Sequence, residues 1–370
     1  MHPLTPIMEK LAIPVWGVGP VTALPELREI YAKRVHHQRY PSFAPPPTAE
    51  RWNPQLFLPD AVSVIVIAVP YYEKEPGGGQ CPPEYEGGLA RYAWGEDYHA
   101  VLHRKLESLG HELAASWGAT VWRAAVDSAP LADRQLAVHY GMAAFGWNSC
   151  VFTKQYGSWV VLGSLLVDTA LPPTAALAPD MPCGSPCRAC LQACPTAALI
   201  EPYVLDPGRC LAYLTQAAGV FPREFRSRMG AAIWGCDICQ SVCPVNQRAS
   251  ASPLSYFGTP ELRSLDLSQI LSWTRQDFQA VLGRSAAAWR GRTVLQRNAA
   301  LALGNKGSKT VLPVLKETLQ HHGSAVVRAS ALWSLNRLDP RGTRSLNQVT
   351  WEKDADPIVK EEAAFWLQKS

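Results

Sequence analysis

The sequence lacks the signals of an exported or membrane-spanning protein. Its first twenty residues, MHPLTPIMEKLAIPVWGVGP, contain no twin-arginine pair, no basic lead into a long apolar stretch and no small-residue cleavage site. No segment reaches the roughly 18 uninterrupted apolar residues that a membrane span requires. The longest apolar run, residues 61–70, has the length and β-branched content of a buried strand instead. We therefore expect no contact with a membrane.

Several nucleotide-binding and hydrolase motifs are also missing. There is no P-loop, no GxGxxG after a predicted strand and no GxSxG, which weighs against nucleotide hydrolases and Rossmann enzymes. Charged residues make up only 18% of the 370 residues, and hydrophobic ones make up 47%. This composition is typical of a soluble globular protein with a sizeable core, and the length allows two or three domains.

Cysteine, in contrast, is concentrated in one short segment. Eight of the ten cysteines lie within residues 183–243, in two runs that each end in Cys-Pro, CGSPCRACLQACP and CDICQSVCP. Cys-x-x-Cys spacing lets one loop wrap several thiolates around an iron–sulfur cube, and the following Cys before a proline ligates the neighbouring cube. Eight thiolates match two cubes. Because such clusters are sensitive to oxygen and no export signal is present, we expect a cytoplasmic protein.

Because the cysteine before each proline is expected to ligate the neighbouring cube, the spacing predicts which cysteines share a cluster. The two predicted sets are Cys183, Cys187, Cys190 and Cys243 for one cluster, and Cys194, Cys210, Cys236 and Cys239 for the other. One irregularity is that three residues, not two, separate Cys183 from Cys187. Zinc and disulfides are the alternatives for such spacing. Cys81 and Cys150 are predicted to be ordinary small apolar side chains.

The order of predicted elements divides the chain into three regions. Residues 1–177 alternate strands near 61–70, 120–126 and 158–167 with helices near 98–117 and 132–140, as in a layered α/β domain. Residues 178–250 form the cluster module, in which the cysteines that bind the clusters determine the path of the backbone. Residues 251–370 are predicted to be helical. Amphipathic segments around Arg297, Arg328 and Lys360, 31 and 32 residues apart, indicate HEAT-type repeats.

Positive charge is unevenly distributed along the chain. The formal net charge is +4, yet residues 223–309 carry twelve Lys or Arg against five Asp or Glu. Residues 281–310 hold six basic residues and Trp289, with no acidic residue. Such a stretch is the footprint expected for contact with a nucleic-acid backbone, and a solvated helix face is the alternative.

Substrate chemistry needs groups outside the clusters, and Asp127 is the main candidate. It follows a predicted strand in the stretch VDSAP, where α/β proteins place catalytic side chains. A carboxylic acid whose pKa is raised by apolar surroundings can deliver a proton there. The alternative is that Asp127 caps a helix or ties a turn. His99 and His139 lie in helical contexts and are interpreted as structural residues.

The chain resembles the epoxyqueuosine reductases, cobalamin-dependent iron–sulfur enzymes that complete queuosine in tRNA. The stretches that carry the resemblance are LPDAVSVIVIAVPYY, ARYAWGEDYHAVLHRKL, VDSAPLADRQLAVHYGMAAFGWNS, GSWVVLGSLLVD, both cysteine runs, RCLAYLTQ and WRGRTVLQRNAALALGN. The first 50 residues depart from the family pattern. The resemblance implies an α/β cobalamin-binding domain, a ferredoxin-like module with two 4Fe–4S clusters and C-terminal all-α HEAT-like repeats.

The resemblance also implies an activity and residue roles. Family members reduce the epoxide of epoxyqueuosine to an alkene at the wobble nucleoside, with electrons passing through the clusters to cobalamin. Asp127 takes the place of the catalytic acid. The positions implied to line the corrin are Arg51, Ala90, Asp127, Val151, Leu162, Tyr213 and Gln216. The basic residues then expected to contact the tRNA are Arg284, Arg290, Arg292, Arg297 and Lys306.

The expected partners follow from the same resemblance. They are tRNA carrying epoxyqueuosine in its anticodon stem-loop and an electron donor such as flavodoxin or ferredoxin, with the protein a monomer. Three alternatives stay open at this stage. A reductive dehalogenase shares the corrin and paired clusters, but generally carries a twin-arginine signal. An electron-transfer protein would not need about 175 residues ahead of its clusters. An RNA-binding scaffold would take up no corrin.

Overall fold

A computed structural model describes residues 2–73, 84–175, 183–184 and 186–369. The chain forms two compact units, each assembled from separate segments. The first unit contains Met1–Lys74, Glu96–Gly208 and Ile238–Phe257, and the second contains Glu75–Gly95, Arg209–Asp237 and Gly258–Ser370. The division at residues 177 and 250 expected from the sequence stays a prediction. Cys81 lies outside the described residues.

Eleven strands lie in the described part of the chain. They are β1 (Val15–Pro20), β2 (Ser63–Pro70), β3 (Glu86–Leu89), β4 (Trp122–Val126), β5 (Ala144–Phe145), β6 (Val151–Phe152), β7 (Val160–Val167), β8 (Leu199–Glu201), β9 (Val204–Leu205), β10 (Ala232–Trp234) and β11 (Leu265–Asp266).

Fifteen α-helices lie in the same part of the chain. They are α1 (Thr5–Lys10), α2 (Glu26–His36), α3 (Tyr98–Trp117), α4 (Asp133–His139), α5 (Ala189–Ala193), α6 (Leu211–Leu214), α7 (Arg223–Arg226), α8 (Ile238–Ser241), α9 (Leu267–Ser272), α10 (Arg275–Leu282), α11 (Arg292–Lys306), α12 (Leu312–His321), α13 (Ala325–Leu338), α14 (Arg344–Lys353) and α15 (Pro357–Lys369). None of these described helices combines the length and apolar character that a membrane crossing requires.

A four-stranded sheet in the order β1-β2-β7-β4 forms the core of the first unit. All its neighbouring strands are antiparallel. Every residue of β2 is buried, as its continuous run of Val, Ile and Ala predicts. The pairing of β4 with β7 ends where Val126 faces Gly163. Asp127 is therefore the first residue beyond the sheet.

Helix α3 packs on β4 and β7 and sets the position of the site described below. It begins after Asp97, whose side chain accepts a hydrogen bond from the His99 backbone N–H at 3.0 Å, and such a cap satisfies an end group of the helix. It ends at Gly118, which has a left-handed φ of 72°. Gly110 allows close packing, because a Cβ atom there would lie 2.4 Å from the Trp122 indole. The strands and helices predicted for this unit from residue 61 onwards are confirmed.

The second unit contains the predicted helical repeats. Helices α11, α12, α13 and α15 pack on one another through α13. Residues 294–304 of α11 are all buried, so this helix lies inside the stack and not on its surface. Gly304 makes the close approach possible, since a Cβ atom there would lie 2.4 Å from Ser334 Oγ.

Arg297 lies inside this stack, and the prediction that it contacts tRNA is wrong. Its side chain is only 1% exposed. It donates hydrogen bonds to the backbone carbonyls of Ala217, Gly219 and Leu214 at 2.6, 2.8 and 3.0 Å. Burial lowers its pKa to about 10, which leaves the guanidinium charged at neutral pH. Arg297 is therefore a structural cation that fixes the 214–219 loop to α11.

We predict that Arg297→Met lowers the free energy of unfolding by about 3 kcal/mol, because several buried carbonyls lose their donor. Chemical denaturation followed by circular dichroism measures this change. Arg284→Met, at an exposed position, is the control and should change stability by less than about 0.5 kcal/mol. Equal stability of the two variants would show that Arg297 does not anchor the loop.

Candidate functional site

The Asp127 carboxylate is held by the first two residues of α3. Tyr98 Oη donates to Asp127 Oδ2 at 2.7 Å, and His99 Nε2 lies 3.5 Å from the same oxygen. The Tyr98 and His99 rings stack, with centroids 4.1 Å apart. Asp127 Oδ1 has no hydrogen-bond partner within the described residues. With 66% of its side chain exposed, the carboxyl group can offer this oxygen to a ligand.

The backbone at Asp127 is strained in a way that points to function. Asp127 has a φ of 37°, in the left-handed region that favours glycine. A hydrogen bond from the Ala129 N–H to the Val126 carbonyl at 3.1 Å closes the turn around it. Unfavourable φ values in non-glycine residues cluster at active sites, where the surroundings hold them. The turn therefore aims the carboxylate towards Tyr98 and His99.

Asp97 orients His99 through a second hydrogen bond. Its Oδ1 lies 2.8 Å from His99 Nδ1, so carboxylates approach both ring nitrogens of His99. Burial alone would lower the pKa of His99. The hydrogen bonds to Asp127 and Asp97 and their negative charges outweigh burial and raise this pKa to about 9. His99 is therefore an imidazolium at neutral pH.

The pKa of Asp127 is lowered, so the expectation of a raised value is wrong in direction. Partial loss of hydration favours the neutral acid, but hydrogen bonds from His99 and Tyr98 and the charges of His99 and Arg134 favour the carboxylate more strongly. The sequence interpretation of His99 as structural overlooked this pairing. The signal available was the tripeptide Asp97-Tyr98-His99 at a helix start, where a cap and two ring side chains come together.

The positions expected to line the corrin are divided between the two units. Arg51, Asp127, Val151 and Leu162 belong to the first unit, and Ala90, Tyr213 and Gln216 to the second. Of these, Val151 and Ala90 are buried, and the others keep accessible side-chain surface. Arg51 Nε is also buried without a partner among the described residues. Within the first unit, the accessible Asp127 carboxylate and the unpartnered Arg51 Nε–H are polar groups that suit an amide-rich ligand such as a corrin.

One predicted set of cysteines surrounds a single cavity in the first unit. The cavity has a volume of about 150 Å³, and Cys183, Cys187, Cys190 and Cys243 line it together with Trp147 and Phe152. Its lining is mostly apolar apart from the sulfur atoms. Burial, followed by the negative charges of Cys239 and Cys183, raises the pKa of Cys190 to about 11. Four crowded thiols need bound cations to ionise together, which suits an iron–sulfur cluster.

Cys183 lines this cavity despite the extra residue that precedes Cys187. The Cys187 N–H donates to the Gly184 carbonyl at 2.9 Å. The Trp147 N–H lies 3.4 Å from Cys183 Sγ. Hydrogen bonds to cluster sulfur atoms are one of the factors that set the reduction potential.

The second predicted set is divided between the two units. Cys194 and Cys239 belong to the first unit, and Cys210 and Cys236 to the second. Cys194 Sγ accepts a hydrogen bond from the Ala198 N–H at 3.2 Å and lies 3.6 Å from Thr196 Oγ1. Burial opposes ionisation, but these hydrogen bonds outweigh it and lower the pKa of Cys194. Its thiolate form, the one that binds iron, is thus favoured. Cys150 is partly buried.

The remaining basic candidates lie on the second unit with different degrees of exposure. Arg284 is exposed, and the Arg290 guanidinium stacks on the exposed Trp289 ring at 4.1 Å. Trp289 Nε1 donates to Gln216 Oε1 at 3.2 Å, which links this surface to a predicted corrin position. Arg292 is half-buried and donates to the Trp273 carbonyl at 2.9 Å. Lys306 is half-exposed at the end of α11.

Three family models match the chain in the order of its predicted regions. They are "Epoxyqueuosine reductase QueG, DUF1730" over residues 51–128, "4Fe-4S double cluster binding domain" over 182–246 and "HEAT repeats" over 286–368. An epoxyqueuosine reductase of Bacillus cereus is 32% identical over 348 residues, which cover 94% of this chain and 91% of the relative. The chain belongs to the epoxyqueuosine reductase family.

Solved structures of epoxyqueuosine reductases share the fold over nearly the whole chain. One, with an epoxyqueuosine-modified stem loop of tyrosine tRNA, has a TM-score of 0.91 at 28% identity and covers 99% of this chain and 97% of its own. Another, from Bacillus subtilis, has its catalytic loop swung out of the active site. It has a TM-score of 0.88 at 28% identity and covers 99% of both chains.

Membership of the epoxyqueuosine reductase family confirms several expectations. The fold class is confirmed, as is the assignment to the oxidoreductases. The cofactors are cobalamin and two 4Fe–4S clusters. Apart from Arg297, the individual cofactor-binding, catalytic and tRNA-contacting residues stay predictions.

We predict that Cys183→Ser lowers the iron content of anaerobically prepared protein from about eight to about four irons per chain, because one cluster loses a thiolate and the other keeps all four. Iron analysis with electron paramagnetic resonance of the reduced protein measures the loss. Cys150→Ser is the matched control and should keep about eight irons. An unchanged iron content in Cys183→Ser would remove Cys183 from the ligand set.

Proposed function

We propose that this protein reduces epoxyqueuosine to queuosine at the wobble position of tRNA. The supporting observation is the similarity to an epoxyqueuosine reductase over 94% of the chain, combined with a solvent-accessible Asp127 hydrogen-bonded by Tyr98 and flanked by His99. A relative of the same fold was solved with an epoxyqueuosine-modified tRNA stem loop. The reductive dehalogenase alternative is disfavoured, because the matched relatives are epoxyqueuosine reductases along nearly their whole length.

The proposed reaction removes one oxygen atom from the substrate. The epoxide takes up two electrons and two protons, both of its C–O bonds break, and an alkene and water are formed. When bound, cobalamin supplies the two electrons, which reach it through the 4Fe–4S clusters. The protein must then supply protons to an oxygen whose negative charge grows as the C–O bonds break.

In this proposal Asp127 is the group that protonates the departing oxygen. The Asp127 carboxylate and the His99 imidazolium together hold one proton, since the pKa of Asp127 is lowered and that of His99 is raised to about 9. The proton starts on His99 and passes from Nε2 to Asp127 Oδ2, 3.5 Å away, and Asp127 delivers it to the departing oxygen. The second proton needed to form water comes from solvent. Tyr98 and Asp97 are positioning residues, which fix the carboxylate and the imidazole respectively.

The tRNA is proposed to contact the exposed basic surface of the second unit. Arg284 and Arg290 remain accessible, and the Trp289 ring beside Arg290 can stack on a base that has left the anticodon loop. Phosphate contacts position the RNA, whereas Asp127 acts on the splayed nucleoside. Flavodoxin or ferredoxin as the electron donor, a monomeric state and a cytoplasmic location stay predictions.

We expect Asp127→Asn to keep both clusters and bound cobalamin and to lose about 10²- to 10⁴-fold of its turnover, the usual size of a general-acid contribution. Single-turnover conversion of epoxyqueuosine in tRNA under anaerobic conditions measures this loss. Asp60→Asn, at an exposed position in the same unit, is the control and should turn over normally. An Asp127→Asn protein with normal turnover would contradict the proton-donor role, and an inactive wild-type protein would contradict the proposed function.

A further inference from the structure

The first unit contains a cluster of three arginines and two tyrosines, of which Arg51 alone is a predicted corrin position. We call it the Arg–Tyr cluster, and its members are Tyr31, Arg34, Tyr40, Arg51 and Arg134. Tyr31 and Arg34 lie on α2, Arg51 ends a short 3-10 turn, and Arg134 lies in the first turn of α4. Tyr40 follows the end of α2, so the cluster draws on four separate parts of the chain.

Two guanidinium groups share one tyrosine ring in this cluster. The central guanidinium carbons of Arg34 and Arg51 lie 5.6 and 5.7 Å from the centroid of the Tyr31 ring. The Tyr40 ring packs edge-on against Tyr31, with centroids 6.2 Å apart. Burial, and then the positive charge of Arg134, lower the pKa of Arg34. Two like charges are thus held on one aromatic ring, and the charge of Arg134 acts on one of them.

These charges are not neutralised by ion pairs. None of the three arginines lies within ion-pair distance of a carboxylate in the described part of the chain. The nearby acids are Asp127, which is engaged by Tyr98 and His99, and Asp133. Ser164 Oγ donates to Asp133 at 2.7 Å, and burial raises the pKa of Asp133 to about 7, which weakens its negative charge.

Most donors of these guanidinium groups also remain available. Each guanidinium carries five N–H donors. Arg51 donates to the carbonyls of Leu131 and Pro45 at 3.1 and 3.4 Å, and its Nε is buried without a partner among the described residues. Arg134 donates to the Ser149 carbonyl at 2.9 Å. Arg34, which is half-buried, makes no side-chain hydrogen bond to the described residues.

We propose that the Arg–Tyr cluster binds a phosphodiester group. Guanidinium forks match the paired oxygens of a phosphate, and half-buried donors without acidic partners gain most from an anion. Which molecule carries this phosphodiester group rests on the proposed function, in which two molecules contain one. One is the nucleotide tail of cobalamin, and the other is the tRNA backbone beside the wobble nucleoside. Arg51 donates to the carbonyl of Leu131, four residues after Asp127, so the cluster contacts the segment that follows the reacting group.

The experiment compares two variants, Arg34→Gln and Arg134→Gln, with Arg28→Gln as the matched control. Arg28 is exposed on the same helix as Arg34. Anaerobic protein with intact clusters is titrated with cobalamin, with cobinamide, which lacks the nucleotide tail, and with an unmodified anticodon stem-loop RNA at several salt concentrations. Thermal unfolding of each variant checks its fold. If Arg34→Gln is unstable, the test uses Arg134→Gln, at an exposed position, and the conservative variant Arg34→Lys.

Loss of one guanidinium–phosphate contact should weaken binding of one ligand about tenfold. Weaker binding of cobalamin with unchanged binding of cobinamide identifies the corrin tail as the source. Weaker binding of RNA, with its salt slope reduced by about one, identifies the tRNA backbone. Variants that bind all three ligands as tightly as Arg28→Gln overturn the inference alone. Wild-type protein that binds neither cobalamin nor RNA overturns both the inference and the proposed function.

Discussion

The contacts of Tyr98 and His99 with the Asp127 carboxylate link the end of β4 to the start of α3, and the proposed chemistry depends on this link. The sheet ends its pairing at Val126, so the next residue is free to turn. The left-handed φ of Asp127 costs on the order of 1 kcal/mol, and these contacts offset that cost. Asp97 caps α3 and orients His99 with the same carboxylate. A single proton is thereby held between the Asp127 carboxylate and the His99 imidazole.

Much of the fold could be predicted from the sequence because its signals are local. The continuous β-branched run of β2, the alternation of strands and helices that follows it and the repeated basic positions of the C-terminal region all specify their elements directly. The Cys-x-x-Cys spacing also predicted four thiols around one site, and Cys183, Cys187, Cys190 and Cys243 line one cavity. Cys183 is part of this lining although three residues separate it from Cys187.

Other features could not be predicted because they depend on long-range packing. Strand β1 contains two glycines and ends in a proline, which hides its strand character, and Gly19 is needed because the Tyr140 ring packs against it. A count of charges cannot distinguish an exposed arginine from one that binds buried carbonyls, which is why Arg297 was assigned wrongly. The pKa direction of Asp127 depends on His99, whose helical context gave no hint of an acidic neighbour 28 residues away.

The proton held between Asp127 and His99 is the central claim, and the pH dependence of kcat/KM for epoxyqueuosine-bearing tRNA tests it most directly. His99 stays protonated until the pH rises through its raised pKa of about 9, so wild-type kcat/KM should fall only near that pH. His99→Gln should lose this alkaline limb and have a lower kcat/KM, because nothing restores the proton to Asp127. His103→Gln, exposed on the same helix, should keep the wild-type profile. An identical profile for wild type and His99→Gln would contradict the account.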